Sequence, residues 1–470
     1  MSSDVTNATT AAGSSAAGTA VTPGTTVTKP GRAGRWIDDW RPEDPSFWEN
    51  GGRRVAWRNL VWSVTSEHIG FSIWSIWSVM VLFLGPAYGI DPAGKFLLTA
   101  LPTLVGATLR LPYTFAVATF GGRNFTIAAA LLLLIPTIFI AIVLEPGVSY
   151  TTLLIAAATA GVGGGNFASS MTNINSFYPQ REKGWALGLN AGGGNLGVAV
   201  VQLIGLLVLA TAGVDNPRVM VAIYIPLIVI AALGSALKMD NLTVASNAKG
   251  ALREVCRDGH TWIISLLYIG TFGSFIGFGF AFGQVLQVQF TKTPLQAAYL
   301  TFLGPLLGSL IRPYGGMLAD RLGGSRVTFF NFIAMAVGAS VVLIAALNQT
   351  LPLYLAGFIL LFIFSGLGNG SVYKMIPAIF AAKAAKKVRA GTELQVAAVE
   401  SARLSGALIG IAGAIGAFGG VLVNLAFRQS FLATKSANAA YVSFIVFYAI
   451  CFVVTYAVYI RKSDKSLEGV

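Results

Sequence analysis

Apolar residues run through this chain in long unbroken stretches. Phe125–Leu144, Val219–Leu237 and Tyr441–Ile460 each reach the length of about 20 residues that a membrane-spanning helix needs. Phe96–Phe120 and Tyr299–Leu318 are similar but interrupted by Gly, Pro or a single Arg. The runs are continuous rather than alternating, which argues against a β-barrel. The pattern predicts an all-α integral membrane protein with about twelve spans. They fall near 59–87, 94–118, 125–144, 149–178, 184–212, 217–237, 260–290, 294–318, 327–347, 352–380, 398–427 and 437–460. The longest polar stretch between spans, Lys238–Gly259, separates six from six. The expected organisation is a disordered cytoplasmic tail (1–34) and a juxtamembrane segment (35–58), then a six-helix bundle (59–237). A cytoplasmic linker (238–259), a second six-helix bundle (260–460) and a short cytoplasmic tail (461–470) follow.

Composition agrees. The chain is 55% hydrophobic and 11% charged, with a mean hydropathy of +0.70. That is too little charge to cover a water-facing surface, so the solvent is the lipid bilayer. The net charge of +13 does not signal nucleic acid. Its basic residues gather before the first span (Arg53, Arg54, Arg58) and in every second loop: Arg123; Arg181 and Lys183; Lys249, Arg253 and Arg257; Arg321 and Arg326; Lys383, Lys386, Lys387 and Arg389. This asymmetry predicts both termini in the cytoplasm of a multi-pass inner-membrane protein. Cys256 and Cys451 stand far apart, and His68 and His260 are the only histidines. No metal, cofactor or nucleophile–base pattern emerges, which disfavours an enzyme.

The two halves echo each other. The second span reads Leu101-Pro-Thr-Leu-Val-Gly-Ala-Thr-Leu-Arg110 and the eighth reads Leu303-Gly-Pro-Leu-Leu-Gly-Ser-Leu-Ile-Arg312. Two Leu, one Gly and the Arg fall in register. An Arg at the bilayer centre costs roughly 2.5–3.5 kcal/mol on insertion scales and should face the bundle interior. No acidic residue on either helix is placed to neutralise it. A single Arg could equally bond carbonyls of a neighbouring helix. A symmetric pair facing one cavity asks for an anion. Guanidinium is flat, permanently charged and weakly hydrated, and its paired N–H donors match small planar oxyanions.

Other polar positions support a helix interface that moves. The fourth, fifth, tenth and eleventh spans are rich in Gly, with Asn166, Asn173, Asn175, Asn190, Asn195 and Asn369 among them. Small residues let helices approach closely. Buried amides need partners, which another helix or a bound anion can supply. The first span contains Glu67-His68, and acidic residues inside a membrane often belong to proton relays. A position at the rim, paired with a basic residue such as Arg58, is the alternative for Glu67.

Several segments carry a family resemblance. Gly316-Met-Leu-Ala-Asp-Arg-Leu-Gly-Gly-Ser-Arg326 resembles the loop signature of the major facilitator superfamily. Its counterpart Phe120-Gly-Gly-Arg123 is degenerate. Gly165-Asn-Phe-Ala-Ser-Ser-Met-Thr-Asn-Ile174 and Gly368-Asn-Gly-Ser-Val-Tyr-Lys-Met-Ile-Pro-Ala-Ile-Phe380 resemble the two signatures of the nitrate/nitrite porter family of that superfamily, the NarK type. So do Trp40–Trp48 and Thr271–Gly277. The resemblance implies a major facilitator fold of two pseudo-symmetric six-helix halves. It implies an anion held between Arg110 and Arg312, with Tyr268, Phe272, Phe167 and Asn195 around it and Asn369 in the second signature. Lys374 departs from the Gln expected there in some members, and no special role is expected for it. The expected substrates are nitrate and nitrite, carried by a monomer through alternating access. Glu67, with His68, is the candidate for coupling a proton to nitrate uptake. Exchange without protons, another small anion, and a non-transporting receptor are the alternatives.

Overall fold

In the computed structural model, the structure describes residues 35–243 and 250–461. The expected tail over 1–34, residues 244–249 of the linker and residues 462–470 lie outside the described residues.

The described chain folds into helical rods that we number α1 to α12. They are α1 (Arg53–Trp74, continued by Trp77–Phe83), α2 (Pro92–Phe120), α3 (Gly122–Val143), α4 (Tyr150–Ala160, Gly161–Gly165 and Asn166–Phe177), α5 (Gln180–Thr211) and α6 (Pro217–Lys238). The rest are α7 (Gly259–Gln289), α8 (Pro294–Leu322), α9 (Gly324–Leu347), α10 (Leu351–Arg389), α11 (Leu394–Thr434) and α12 (Asn438–Ile460). Ten of them, all but α1 and α4, are long and apolar enough to cross a membrane among the described residues. The two exceptions are broken. Ser75 leaves the helical region in α1, and Gly161–Gly165 tightens into a 3₁₀ turn in α4. The expected linker holds a two-residue strand (Asn241–Leu242) and a short helix (Ala251–Cys256).

Local chemistry sets the ends. Asp91 caps α2 ahead of Pro92, and Ser149 caps α4. Thr293 and Gln296 form a capping box at the start of α8, beside Pro294. α10 runs nine residues beyond its expected end at 380. Hydropathy marks only the apolar part, whereas Ala381-Ala-Lys-Ala-Ala-Lys-Lys387 is strong helix-forming sequence that continues into water.

The repeat between halves is visible in the backbone. α2 ends at Gly121 (φ 88°) and α8 at Gly323 (φ 90°), left-handed conformations that disfavour any residue with a Cβ. Each lies eleven residues beyond the arginine of its own helix. One turn before each arginine stands a glycine in a tight crossing. A Cβ on Gly106 would fall 3.0 Å from the Gly164 Cα of α4, and one on Gly366 of α10 would fall 2.1 Å from the Gly308 carbonyl. The same device therefore presses α4 onto α2 and α10 onto α8.

The two groups of six meet along α2 with α11 and α5 with α8. The hydrogen bonds between them lie at the level of Arg110 or beyond it, towards the face opposite the basic loops. Gln202 donates to the Gly279 carbonyl (2.6 Å), Gln284 to the Pro92 carbonyl (2.6 Å) and Thr99 to Asn424 (2.7 Å). On the basic-loop side, Gly184, Gly188 and Gly192 of α5 and Gly406 of α11 face open space. The molecule is closed on one face and parted on the other.

A strap reinforces the basic-loop face of the first group. Trp36–Ile37 pairs in parallel with Asn241–Leu242. Trp40 donates to the Phe177 carbonyl (3.2 Å) and Trp48 to Glu182 (2.9 Å). Asp44 starts the turn that carries Trp48 by accepting from the Ser46 hydroxyl and the backbone of Ser46 and Phe47, which holds its carboxyl below the usual range. Buried Asp240 accepts from Asn59 (3.0 Å) and pairs with Arg35 (3.0 Å) and Arg58. Arg58 is therefore engaged by Asp240, not by Glu67. Both arginines remain about a third exposed, which screens the pairs. We expect Asp240→Ala to cost about 1–3 kcal/mol by removing the carboxylate that Arg35 and Arg58 share. Thermal unfolding of the purified chain in detergent checks this; an unchanged midpoint would show that the strap does not brace the bundle.

Candidate anion-binding site

Arg110 is wholly buried at the middle of α2. Its Nε donates to the Gly164 carbonyl of α4 (3.2 Å) and its Nη1 to the Gly413 carbonyl of α11 (2.6 Å). Bonding to neighbouring carbonyls, the alternative weighed for a lone arginine, is thus realised in part. It leaves Nη2 buried without a partner. Four rings surround the guanidinium: Phe167 at 4.6 Å, Phe272 at 5.0 Å, Trp74 at 5.3 Å and Phe71 at 5.9 Å from its Cζ. Such cation–π contacts are worth about 0.5–2 kcal/mol each, more when water is excluded.

Arg312, nearly as buried, is held less tightly. Its Nη2 donates to the Tyr268 hydroxyl (3.3 Å), its Nη1 has no partner, and its Cζ lies 5.4 Å from the Tyr373 ring. No acidic side chain pairs with either arginine among the described residues. Asp320, the nearest carboxylate along α8, takes Lys374 instead (2.7 Å). Lys374, expected to have no special role, therefore ties α10 to the loop signature.

The rings link the arginines. Tyr268 stacks on Phe272 (5.1 Å, 9°) and tilts against Tyr373 (5.1 Å), and Phe272 stacks on Phe167 (6.3 Å). Tyr268 immediately precedes a π-helical turn of α7, Ile269–Gly273, and Phe272 lies within it. Such a turn re-aims side chains and often marks a functional site. Glycines make room for it. A Cβ on Gly416 would fall 2.3 Å from Tyr268, and one on Gly273 would fall 2.5 Å from the Gly419 Cα.

The structure therefore brings together Arg110, Arg312, Tyr268, Phe167 and Phe272. Asn195 and Asn369 are fully buried with neither amide atom partnered by protein, although no hydrogen bond joins them to the arginines. Asn369 lies one turn from Tyr373. His68 turns away and meets the Gly193 carbonyl (3.0 Å). Glu67 is fully buried rather than at the rim. Its Oε2 accepts from Asn190 (2.6 Å), which also donates to Ser170 (2.6 Å), and its Oε1 has no partner. Sequence reasoning missed Tyr373, Trp74, Phe71 and the carbonyls of Gly164 and Gly413. Tyr373 sits inside the second signature, one turn from Asn369, and that spacing could have flagged it. Nothing distinguishes Trp74 or Phe71 from core aromatics in the sequence, and backbone acceptors leave no trace there.

The family profile of the Major Facilitator Superfamily matches residues 69–422, which makes the chain a membrane carrier of that superfamily. The chain is 38% identical to the nitrate/nitrite transporter NarU of Salmonella typhimurium, over 91% of this chain and 97% of that one. It is 33% identical to the probable nitrate/nitrite antiporter NarK2 of Thermus thermophilus, over 92% and 98%. Among solved structures, a D-xylose–proton symporter superposes with a TM-score of 0.64, at 15% identity and over 88% and 98% of the two chains, which speaks for the fold alone. The chain belongs to the NarK-type nitrate/nitrite porters, a family of multi-pass membrane transporters rather than enzymes.

Asn190 is the group that meets Glu67 inside this lattice. Asn190→Ala should strand the Glu67 carboxyl and cost about 1–3 kcal/mol. Thermal unfolding in detergent reads this out; a midpoint equal to that of the parent would mean that Asn190 does not support Glu67.

Proposed function

We propose that this chain moves nitrate, and nitrite, across the cytoplasmic membrane by alternating access, with the anion held between Arg110 and Arg312. The observation that carries the reading is a pair of buried guanidinium groups, each with an unpartnered Nη and neither touching a carboxylate. An uncompensated buried charge is costly, and a bound anion relieves that cost at both arginines at once. The shape of the anion follows from the walls. Guanidinium donors lie in a plane and suit a flat oxyanion, and stacked rings favour a flat, weakly hydrated guest. The unpartnered amides of Asn195 and Asn369 supply further donors as the groups close.

In this reading the two basic-face halves part to admit or release the anion, with the basic loops and both ends of the chain in the cytoplasm. Repulsion between Arg110 and Arg312 opposes closure of the empty chamber. The anion removes that repulsion and permits the swing. Domain boundaries at 238 and 259 correspond to the joint between the rocking halves.

Glu67 provides coupling. No cation pairs with it among the described residues, and Phe71, one turn along α1, lies 5.9 Å from the Arg110 Cζ. An ionised Glu67 offsets the arginines and competes with the anion; a protonated one leaves them to it. Proton and anion binding then reinforce each other, and linkage makes that reinforcement mutual. This favours nitrate/proton symport. Exchange of nitrate for nitrite is the second reading, favoured by the name of the Thermus relative.

Proteoliposome transport tests both levels. Lys keeps the charge but not the fork. Arg110→Lys and Arg312→Lys should each slow transport by roughly ten- to a hundredfold, the loss of a charge-assisted hydrogen bond worth about 1.5–3 kcal/mol. Parent rates in both variants would end the two-arginine reading. Glu67→Gln should abolish nitrate uptake driven by an imposed pH gradient while nitrate/nitrite exchange continues. If the parent protein ignores the gradient and requires internal nitrite, the carrier is an exchanger.

A further inference from the structure

The glycines of α11 are not equivalent. A Cβ on Gly416 would strike Tyr268 at 2.3 Å, one on Gly419 would meet the Gly273 Cα at 2.7 Å, and one on Gly420 would meet Ile276 at 2.8 Å. These three are required by helix packing. Gly406, nearer the basic-loop end, faces open space. Gly413 is of a third kind. Its carbonyl accepts from Arg110 Nη1 (2.6 Å), while a methyl on its Cα would stand 3.5 Å from Phe167 Cε1, 3.7 Å from Arg110 Nη1 and 3.8 Å from the Tyr373 hydroxyl. All three are ordinary contact distances. Nothing in the packing of α11 excludes that methyl. What the missing side chain leaves is a gap of about methyl size, bounded by a cation, a phenol O–H and an aromatic ring.

We propose that Gly413 sets which anion the site accepts, its bare Cα letting one oxygen of the substrate pack against the α11 backbone. This rests on the reading that the anion lies between Arg110 and Arg312. The three neighbours match what such an oxygen needs. Arg110 and the Tyr373 hydroxyl can donate, and the positive edge of the Phe167 ring can face it. Tyr373 has little to lose, since its hydroxyl reaches only the Ile409 carbonyl, at 3.5 Å. Nitrate carries three oxygens and nitrite two. A methyl on Gly413 stands in the way of the third oxygen and leaves the two-oxygen anion free to bind. Gly413 therefore acts as a specificity-determining position, and Tyr373 as a wall of the same subsite.

The test is transport of nitrate and of nitrite, measured separately with the full chain in proteoliposomes. Ala in the middle of a helix is well tolerated. Gly413→Ala should raise the KM for nitrate by about tenfold or more, the range expected when one methyl group is set against a fitted pocket. Nitrite transport in the same vesicles should stay near the parent value, which also reports that the variant is folded. Gly406→Ala should change neither. Loss of both anions together in Gly413→Ala, or unchanged nitrate transport, would overturn the assignment. If Arg110→Lys and Arg312→Lys carry nitrate at parent rates, the two-arginine site itself is wrong, whatever Gly413→Ala does. If those variants fail as expected while Gly413→Ala is unselective, only the role of Gly413 falls.

Discussion

Two permanent positive charges buried inside a protein, with no carboxylate in contact among the described residues, are the constraint from which the rest of this structure follows. Both arginines are buried, and desolvation of an ion is expensive. The chain meets that expense with what is available without acid: main-chain carbonyls from two other helices, a phenol, and the faces of aromatic rings. Each of these offsets charge without cancelling it. One Nη of each guanidinium is left without a protein partner.

The two charges are not held alike. Arg110 is fixed by carbonyls on both sides of the interface and by four rings, whereas Arg312 rests on one hydroxyl and one ring. Because Arg110 bonds a carbonyl of α11, it also joins the two halves in the conformation described. In the reading proposed above, an anion that competes for that guanidinium acts on the interface directly. The glycine crossings beside each arginine serve the same end, bringing the Gly164 carbonyl and the Arg312 backbone close enough to matter.

Much of this was legible in the chain. The apolar runs located the rods, with some ends displaced by six to nine residues, because lipid leaves the backbone few choices other than helix. Where boundaries moved, as at 389 in α10, the helix continued on propensity after its hydrophobicity had ended. Arg110 and Arg312 stood out because charge is rare in such helices, and their match in register identified them as a pair. The position of Glu67 did not follow from sequence. Whether a carboxyl two turns into an apolar helix reaches the rim or is enclosed depends on Asn190 and Gly194, more than a hundred residues away. Backbone acceptors and the contrast among the α11 glycines are equally invisible until the helices are packed. The aromatic set came from resemblance, since a Phe that faces a cation and a Phe that faces another Phe are the same letter.

The strap has a mechanical meaning. It stitches the outer ends of α1 and α6 to the turn joining α4 and α5, through two tryptophans, a pair of short strands and one enclosed aspartate. Ends sewn together in this way cannot slide past one another as a carrier turns over. The strap therefore binds the basic-loop ends of the first six helices into one stiff unit.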